Sequence, residues 1–129
     1  MKIEHVAIWC NCLETMRLFY HRYFEAKSGE KYENPEHKFS SYFMTLPGGP
    51  RIELMHMDSF DILPADPYLE FTGFAHLAFS LGSEDRVNAM TARLKEDGFD
   101  VLDGPRWTGD GYYESVIRDP EGNRLEITV

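Results

Sequence analysis

Ile3-Glu4-His5-Val6-Ala7-Ile8 and Phe74-Ala75-His76-Leu77-Ala78-Phe79 decide the fold, because the second stretch repeats the first. In each, a histidine is followed by an aliphatic residue, an alanine and another apolar residue, and the histidines stand 71 positions apart (76 − 5). Such self-similarity is the mark of a structural unit used more than once. Alternating apolar and small or polar residues predict a half-buried strand in both places.

Working outward, each strand is followed by a helix signal. Asn11 precedes Leu13, Met16, Tyr20 and Tyr23, while Ser83 precedes Val87, Met90 and Leu94, with Glu84 and Asp85 in the first turn. Those spacings predict two amphipathic helices capped by Asn11 and Ser83 and ended by Gly29 and Gly98.

Each half then closes with a hairpin. Lys38 to Leu46 and Arg51 to Met57 flank Pro47-Gly48-Gly49-Pro50, and Tyr112 to Arg118 and Arg124 to Val129 flank Asp119-Pro120-Glu121-Gly122-Asn123. The closing strands match again: Arg51-Ile52-Glu53-Leu54 and Arg124-Leu125-Glu126-Ile127 are 73 apart (126 − 53). Short further strands are expected near Lys31-Tyr32 and Val101-Leu102. The acidic stretch Asp58 to Thr72, with Pro64 and Pro67, reads as a connector. The prediction is one α+β domain, 1–129, built of two similar modules at 1–57 and 73–129 joined by 58–72.

Side chains alternate across a strand, so Glu53 shares a face with Arg51 and Met55 while Ile52 and Leu54 take the other. Glu126 likewise opposes Leu125, Ile127 and Val129. His5 lies with Ile3, Ala7 and Trp9, and His76 with Phe74, Ala78 and Ser80. Taken singly, a strand histidine or glutamate is an ordinary polar residue. Matched in both halves, for two residue types at once, they point to a shared role. If the modules pack about a pseudo-twofold axis, His5, Glu53, His76 and Glu126 gather in one place. Two imidazoles and two carboxylates suit divalent zinc, nickel, cobalt, iron or manganese, with octahedral positions left for water or substrate. His21, His37 and His56 have no repeat partners and are read as surface or packing residues.

Composition bounds the remaining classes. With 129 residues, 43% apolar and 14% aromatic, the chain builds one core. A net charge of −9 repels phosphate backbones and anionic membrane surfaces, so neither nucleic acid nor membrane is an expected partner. Met1-Lys2-Ile3-Glu4-His5 is unlike a secretory signal, and no apolar run is long enough to span a bilayer. Cys10 and Cys12 are too close in sequence to staple distant segments, which suits reduced thiols and a cytoplasmic location.

With these residues in view, the sequence resembles the vicinal oxygen chelate superfamily, which includes glyoxalase I, bleomycin-resistance proteins, extradiol dioxygenases and methylmalonyl-CoA epimerase. The resemblance runs over essentially the whole chain and implies paired βαβββ modules. Ligands of the bacterial glyoxalase I type fall on the first and last strands of each module, matching His5, Glu53, His76 and Glu126. Phe19-Tyr20 and Glu33-Asn34-Pro35-Glu36-His37-Lys38-Phe39-Ser40 look like stretches of small bacterial glyoxalase I proteins. Asp119-Pro120-Glu121-Gly122-Asn123 is similar to a turn found across the superfamily.

The resemblance implies a metal-dependent lyase or isomerase of the lactoylglutathione lyase type acting on a small substrate with vicinal oxygens. It uses one divalent ion per site, zinc or nickel first, in a homodimer. Glu126 is the implied base that moves a proton between adjacent carbons, with Glu53 second, and His5 and His76 are anchoring ligands. Where the glyoxalase I type places an arginine just after the first ligand to engage glutathione, this chain has Ile8-Trp9-Cys10 and no arginine until Arg17. Glutathione is therefore not the expected thiol. Arg106-Trp107-Thr108-Gly109-Asp110-Gly111-Tyr112-Tyr113 reads as a loop over a ligand or a plain hairpin approach. Two alternatives stand beside the lyase: a non-catalytic binder of flat ligands of the bleomycin-resistance type, and an iron-dependent extradiol dioxygenase using His5, His76 and Glu126.

Overall fold

A computed structural model describes residues 1–59, 66, 68 and 73–129. Most of the expected connector, 58–72, lies outside the described residues. The chain forms two compact units, Met1–Leu63 and Pro64–Val129.

The first unit runs β1 (His5–Trp9), α1 (Leu13–Phe24), β2 (Lys27–Ser28), β3 (Tyr32–Asn34), β4 (Phe39–Thr45) and β5 (Arg51–Met57). Its sheet has the order β1-β5-β4-β2, with β3 also paired to β4. β1 is parallel to β5, and the other pairings are antiparallel. A parallel pair needs a long crossover, and here α1 and the β4–β5 hairpin supply it.

α1 buries Leu13, Met16, Phe19, Tyr20, Tyr23 and Phe24 on the stripe that its periodicity predicts. Met44, Ile52 and Leu54 meet that stripe from the sheet and are themselves buried. The helix ends differ from expectation. Cys12, not Asn11, is the N-cap and its side chain makes no capping bond; the chain leaves the helix at Glu25, which takes a left-handed φ of 55°. Gly29 lies beyond, donating to the Phe43 carbonyl at 2.9 Å. Apolar burial explains the early exit: Ala26, immediately after the turn, is fully buried and its N–H closes on Tyr20 O at 3.2 Å.

The second unit runs β6 (Leu77–Ser80), α2 (Glu84–Glu96), β7 (Val101–Trp107), β8 (Tyr113–Arg118) and β9 (Arg124–Thr128), in the sheet order β6-β9-β8-β7. β6 is parallel to β9, as β1 is to β5. Ser83 caps α2 by accepting from Arg86 N at 3.3 Å, and Gly98, at φ 88°, follows its end. Val87, Thr91 and Leu94 are buried against a sheet face carrying Leu125, Ile127, Ser115 and Ile117. Thr91 Oγ1 and Ser115 Oγ, 2.6 Å apart, satisfy each other inside this core.

The strand expected near Lys31-Tyr32 is β3, and the two-residue β2 before it is an addition, whereas the one near Val101-Leu102 extends to Trp107. Along β7 the register with β8 shifts twice, on either side of Asp103. Among the described residues, no helix is long and apolar enough to cross a membrane.

Candidate metal centre

Parallel pairing sets His5 beside Arg51, Ala7 beside Glu53 and Trp9 beside Met55. Residues in register share a face, so His5 and Glu53 stand together on the side of the sheet turned away from α1. His5 Nε2 lies 3.8 Å from Glu53 Oε2. The other ring nitrogen is engaged by Glu4: Nδ1–H donates to that carboxylate, and Nε2 is the nitrogen that faces Glu53. Glu4 is in turn gripped by Arg51, whose Nε donates to it at 2.9 Å. Hydrogen bonds from His5 and then Arg51 hold the Glu4 carboxyl below its ordinary range. Arg51 also stacks over the Phe43 ring, 4.1 Å from its centroid, and Phe43 meets the His5 ring edge-on at 5.4 Å. Glu4 and Phe43 thus hold the imidazole directly, and Arg51 holds both of them.

In the second unit, Ala78 pairs with Glu126. His76 lies just before β6, and its Nε2 is 3.2 Å from Glu126 Oε2. Each unit therefore brings one imidazole nitrogen to one carboxylate from its first and last strand segments. Their side chains are partly sheltered, at 40% and 16% exposure for His5 and Glu53 and 35% and 20% for His76 and Glu126. Among the described residues, no three His, Cys, Asp or Glu side chains are arranged as a group that could hold a metal ion, and the donors form two pairs. The chemistry of each pair, a neutral nitrogen and an anionic oxygen both able to turn a lone pair outward, fits a divalent cation.

Other residues of this neighbourhood are not evident from the repeat. Glu4 has no counterpart, since Ala75 stands at the matching place, so repetition offers no signal for it. Glu114 is the second. On β8 it pairs with Thr128 while Val116 pairs with Glu126, which makes Glu114 the diagonal neighbour of Glu126 on one face. Strand alternation from Val116 back to Glu114 carries that signal. Burial, and then the charge of Glu126, push the Glu114 carboxyl above its ordinary range. Arg106 Nη1 lies 4.0 Å from Glu114 Oε1, but its guanidinium is already held by Asp103, with Nε donating at 2.7 Å. Arg106 in return holds the Asp103 carboxyl below its usual range.

Of the remaining histidines, His37 is exposed, while His21 and His56 bond to backbone carbonyls. His21 Nδ1 donates to the Ala26 carbonyl at 3.0 Å, and His56 Nδ1 to the Cys10 carbonyl at 2.8 Å. Arg106 to Tyr113 forms the end of β7 and the turn into β8, closed by Thr108 N–H on Tyr112 O at 2.7 Å.

Comparison with solved structures agrees with this architecture. A glyoxylase/bleomycin resistance protein/dioxygenase domain from Frankia sp. EAN1pec superimposes with a TM-score of 0.83 at 21% identity, covering 100% of this chain and 97% of that one. A glyoxalase family protein from Enterococcus faecalis gives 0.79 at 26% identity, covering 99% and 97%. The trypanothione-dependent glyoxalase I of Leishmania major gives 0.77 at 18% identity, covering 99% and 86%. No curated protein matches the chain. The sequence profile of one family spans residues 2–127, and with the α+β architecture and its solved relatives it shows that this chain belongs to the Glyoxalase/Bleomycin resistance protein/Dioxygenase superfamily.

Proposed function

We propose that this protein is a metal-dependent lyase or isomerase of the glyoxalase I type, acting on a small substrate that carries oxygens on adjacent carbons. The observation that supports it is the duplicated pair: His5 with Glu53 and His76 with Glu126, each joined across parallel first and last strand segments at 3.8 and 3.2 Å. In this reading the four side chains hold one divalent ion, zinc or nickel first among zinc, nickel, cobalt, iron and manganese. One pair comes from each unit, of one chain or of two copies. A bound ion would supply Lewis-acid neutralisation of the negative charge that develops on the substrate oxygens.

The chain's own residues do the rest. Glu126 takes the proton from the carbon that bears one oxygen and returns it to the adjacent carbon that bears the other, a task that Glu53 would perform if the geometry is reversed. His5, pinned by Glu4 and Arg51, and His76 act as anchors. Ile8-Trp9-Cys10 offers no cation to a glutathione carboxylate, so turnover does not depend on that thiol.

Several features support a homodimer working in the cytoplasm. Phe74, Ile3 and Trp107 are 99%, 68% and 60% exposed, apolar side chains that a second copy would cover, and neither cysteine is in a disulfide. Purified protein should carry about one divalent ion per chain, and His76→Ala or Glu126→Gln should remove most of it, as read by elemental analysis. Lyase assays on metal-loaded protein with several thiol adducts of methylglyoxal test the reaction. A protein that takes up none of these metals sinks the proposal. Light scattering should give twice the chain mass; a monomer with metal bound would leave only the within-chain site.

A second reading, a non-catalytic binder of flat ligands, is favoured by the rings on the His5 face. Trp9 meets Phe39 edge-on at 6.1 Å, and Phe39 meets Tyr32 at 6.1 Å. Tight binding of aromatic compounds by metal-free protein, with no turnover when loaded, would select it over the lyase.

A further inference from the structure

Beside Glu126 the second sheet carries a carboxylate that the proposed chemistry does not use. We infer that Glu114 sets substrate specificity at this site, refusing negative charge on the part of the substrate that lies toward the β7–β8 turn and so selecting a neutral, hydroxyl- or carbonyl-bearing compound. The inference rests on the proposed reading of His76 and Glu126 as site residues and goes on to name the substrate class.

Glu114 and Glu126 are diagonal neighbours on adjacent strands and point to the same face, about 7–8 Å apart for such a pair, so a molecule lying against Glu126 comes within reach of the Glu114 side chain. The Glu114 side chain is only 13% exposed, which limits how far water screens it. Arg106 is the cation at this end of the sheet that would otherwise receive a carboxylate. Asp103 already holds it by both Nε and Nη2, and Glu114 shares what remains of its field. With Glu126 committed to the divalent cation, the two carboxylates of Asp103 and Glu114 still outnumber the one guanidinium of Arg106. The other arginines of this face, Arg118 and Arg124, pair with each other in register four residues further along β8, beyond Glu126, and Arg118 is tied to Asp100 at 3.2 Å. Negative charge is therefore unwelcome at the β7–β8 end. A hydroxyl is not, because Glu114 accepts a hydrogen bond from it. Like-charge juxtaposition of this kind discriminates by repulsion rather than by added contacts.

Two small probes with adjacent oxygens separate the effects: hydroxyacetone, which is neutral, and lactate, which is an anion. Their dissociation constants are measured by intrinsic fluorescence, to which Trp107 contributes, on metal-free and zinc-loaded protein. Glu114→Gln should tighten lactate about fivefold relative to hydroxyacetone, the size expected for removing one partly screened charge at this range. Asp103→Asn, which releases Arg106, should move the ratio the same way and keeps the question answerable if the first variant folds poorly. If both variants leave the ratio within about 1.5-fold of the parent, the role given to Glu114 is overturned. If instead His76→Ala retains full zinc and full affinity for both probes, the reading of the site itself fails, which is a different result.

Discussion

At Gly104 the backbone takes φ 81°, and a Cβ built there would lie 2.5 Å from the Glu114 carbonyl and 2.8 Å from Ser115 Cα. Both neighbours are main chain and cannot swing aside. Gly104→Ala should therefore cost roughly 2 kcal/mol or more in chemical denaturation, from strain and overpacking together. A loss under about 0.5 kcal/mol would mean that β7 and β8 do not approach so closely. A second single-residue effect concerns Glu14, which accepts from Tyr42 OH at 2.7 Å and from Arg17 Nε at 2.9 Å. Those bonds, Tyr42 first, lower its pKa from 4.5. A depressed carboxyl stabilises the fold above its unfolded pKa and loses that contribution as pH falls through the folded value. Glu14→Gln should hence be less stable than the parent at pH 7, and the gap should close as the medium is acidified below 4.5. Thermal melts across that range check it, and a gap that widens in acid refutes it. The two His–Glu pairs were legible because a duplication repeats their type and place. Glu4 was not, since its contribution depends on Arg51 coming alongside β1 in the folded sheet, a long-range fact with no local pattern.

Among the elements, both helices and the two hairpins follow from periodicity and turn chemistry, and Ser83 caps α2 as its sequence indicates. The misreadings lie at ends. Asn11 and Gly29 have the right chemistry to bound α1, but burial of Phe24 and Ala26 on the sheet turns the chain at Glu25 instead. Tertiary packing overrides end propensity where the next element must pair at once. In α2 the periodic stripe omits Thr91, which is buried and shares a hydrogen bond with Ser115. Thr91→Val strands the Ser115 hydroxyl in a dry interior, so it should cost about 1–3 kcal/mol. Adding Ser115→Ala should recover much of that loss, because replacing both partners removes the unsatisfied group. Additive losses in the double variant would show that the two hydroxyls do not depend on each other.

For the molecule as a whole, the excess of acidic groups is a long-range load on the fold. A net charge of −9 repels itself, and salt screens that repulsion over a Debye length of about 10 Å at 0.1 M. The melting temperature should climb by a few degrees between about 0.02 and about 0.3 M sodium chloride; a fall would mean that favourable ion pairs such as Arg51 with Glu4 outweigh the repulsion. The repeat made the two-module architecture readable, whereas the acidic, proline-bearing stretch 58–72 carries no periodicity to follow. One feature of both units reaches into the time dimension. Each closes by laying its last strand parallel to its first, so β1 has no sheet partner until β5 has been made, 46 residues after its start (51 − 5). At synthesis rates of roughly 5–20 residues per second, β1 waits several seconds with its hydrogen-bonding edge unfilled. The same holds for β6 and β9. The histidine and its glutamate therefore meet only in the final act of each unit's folding, and capture of a cation by a growing chain would report that the unit is finished.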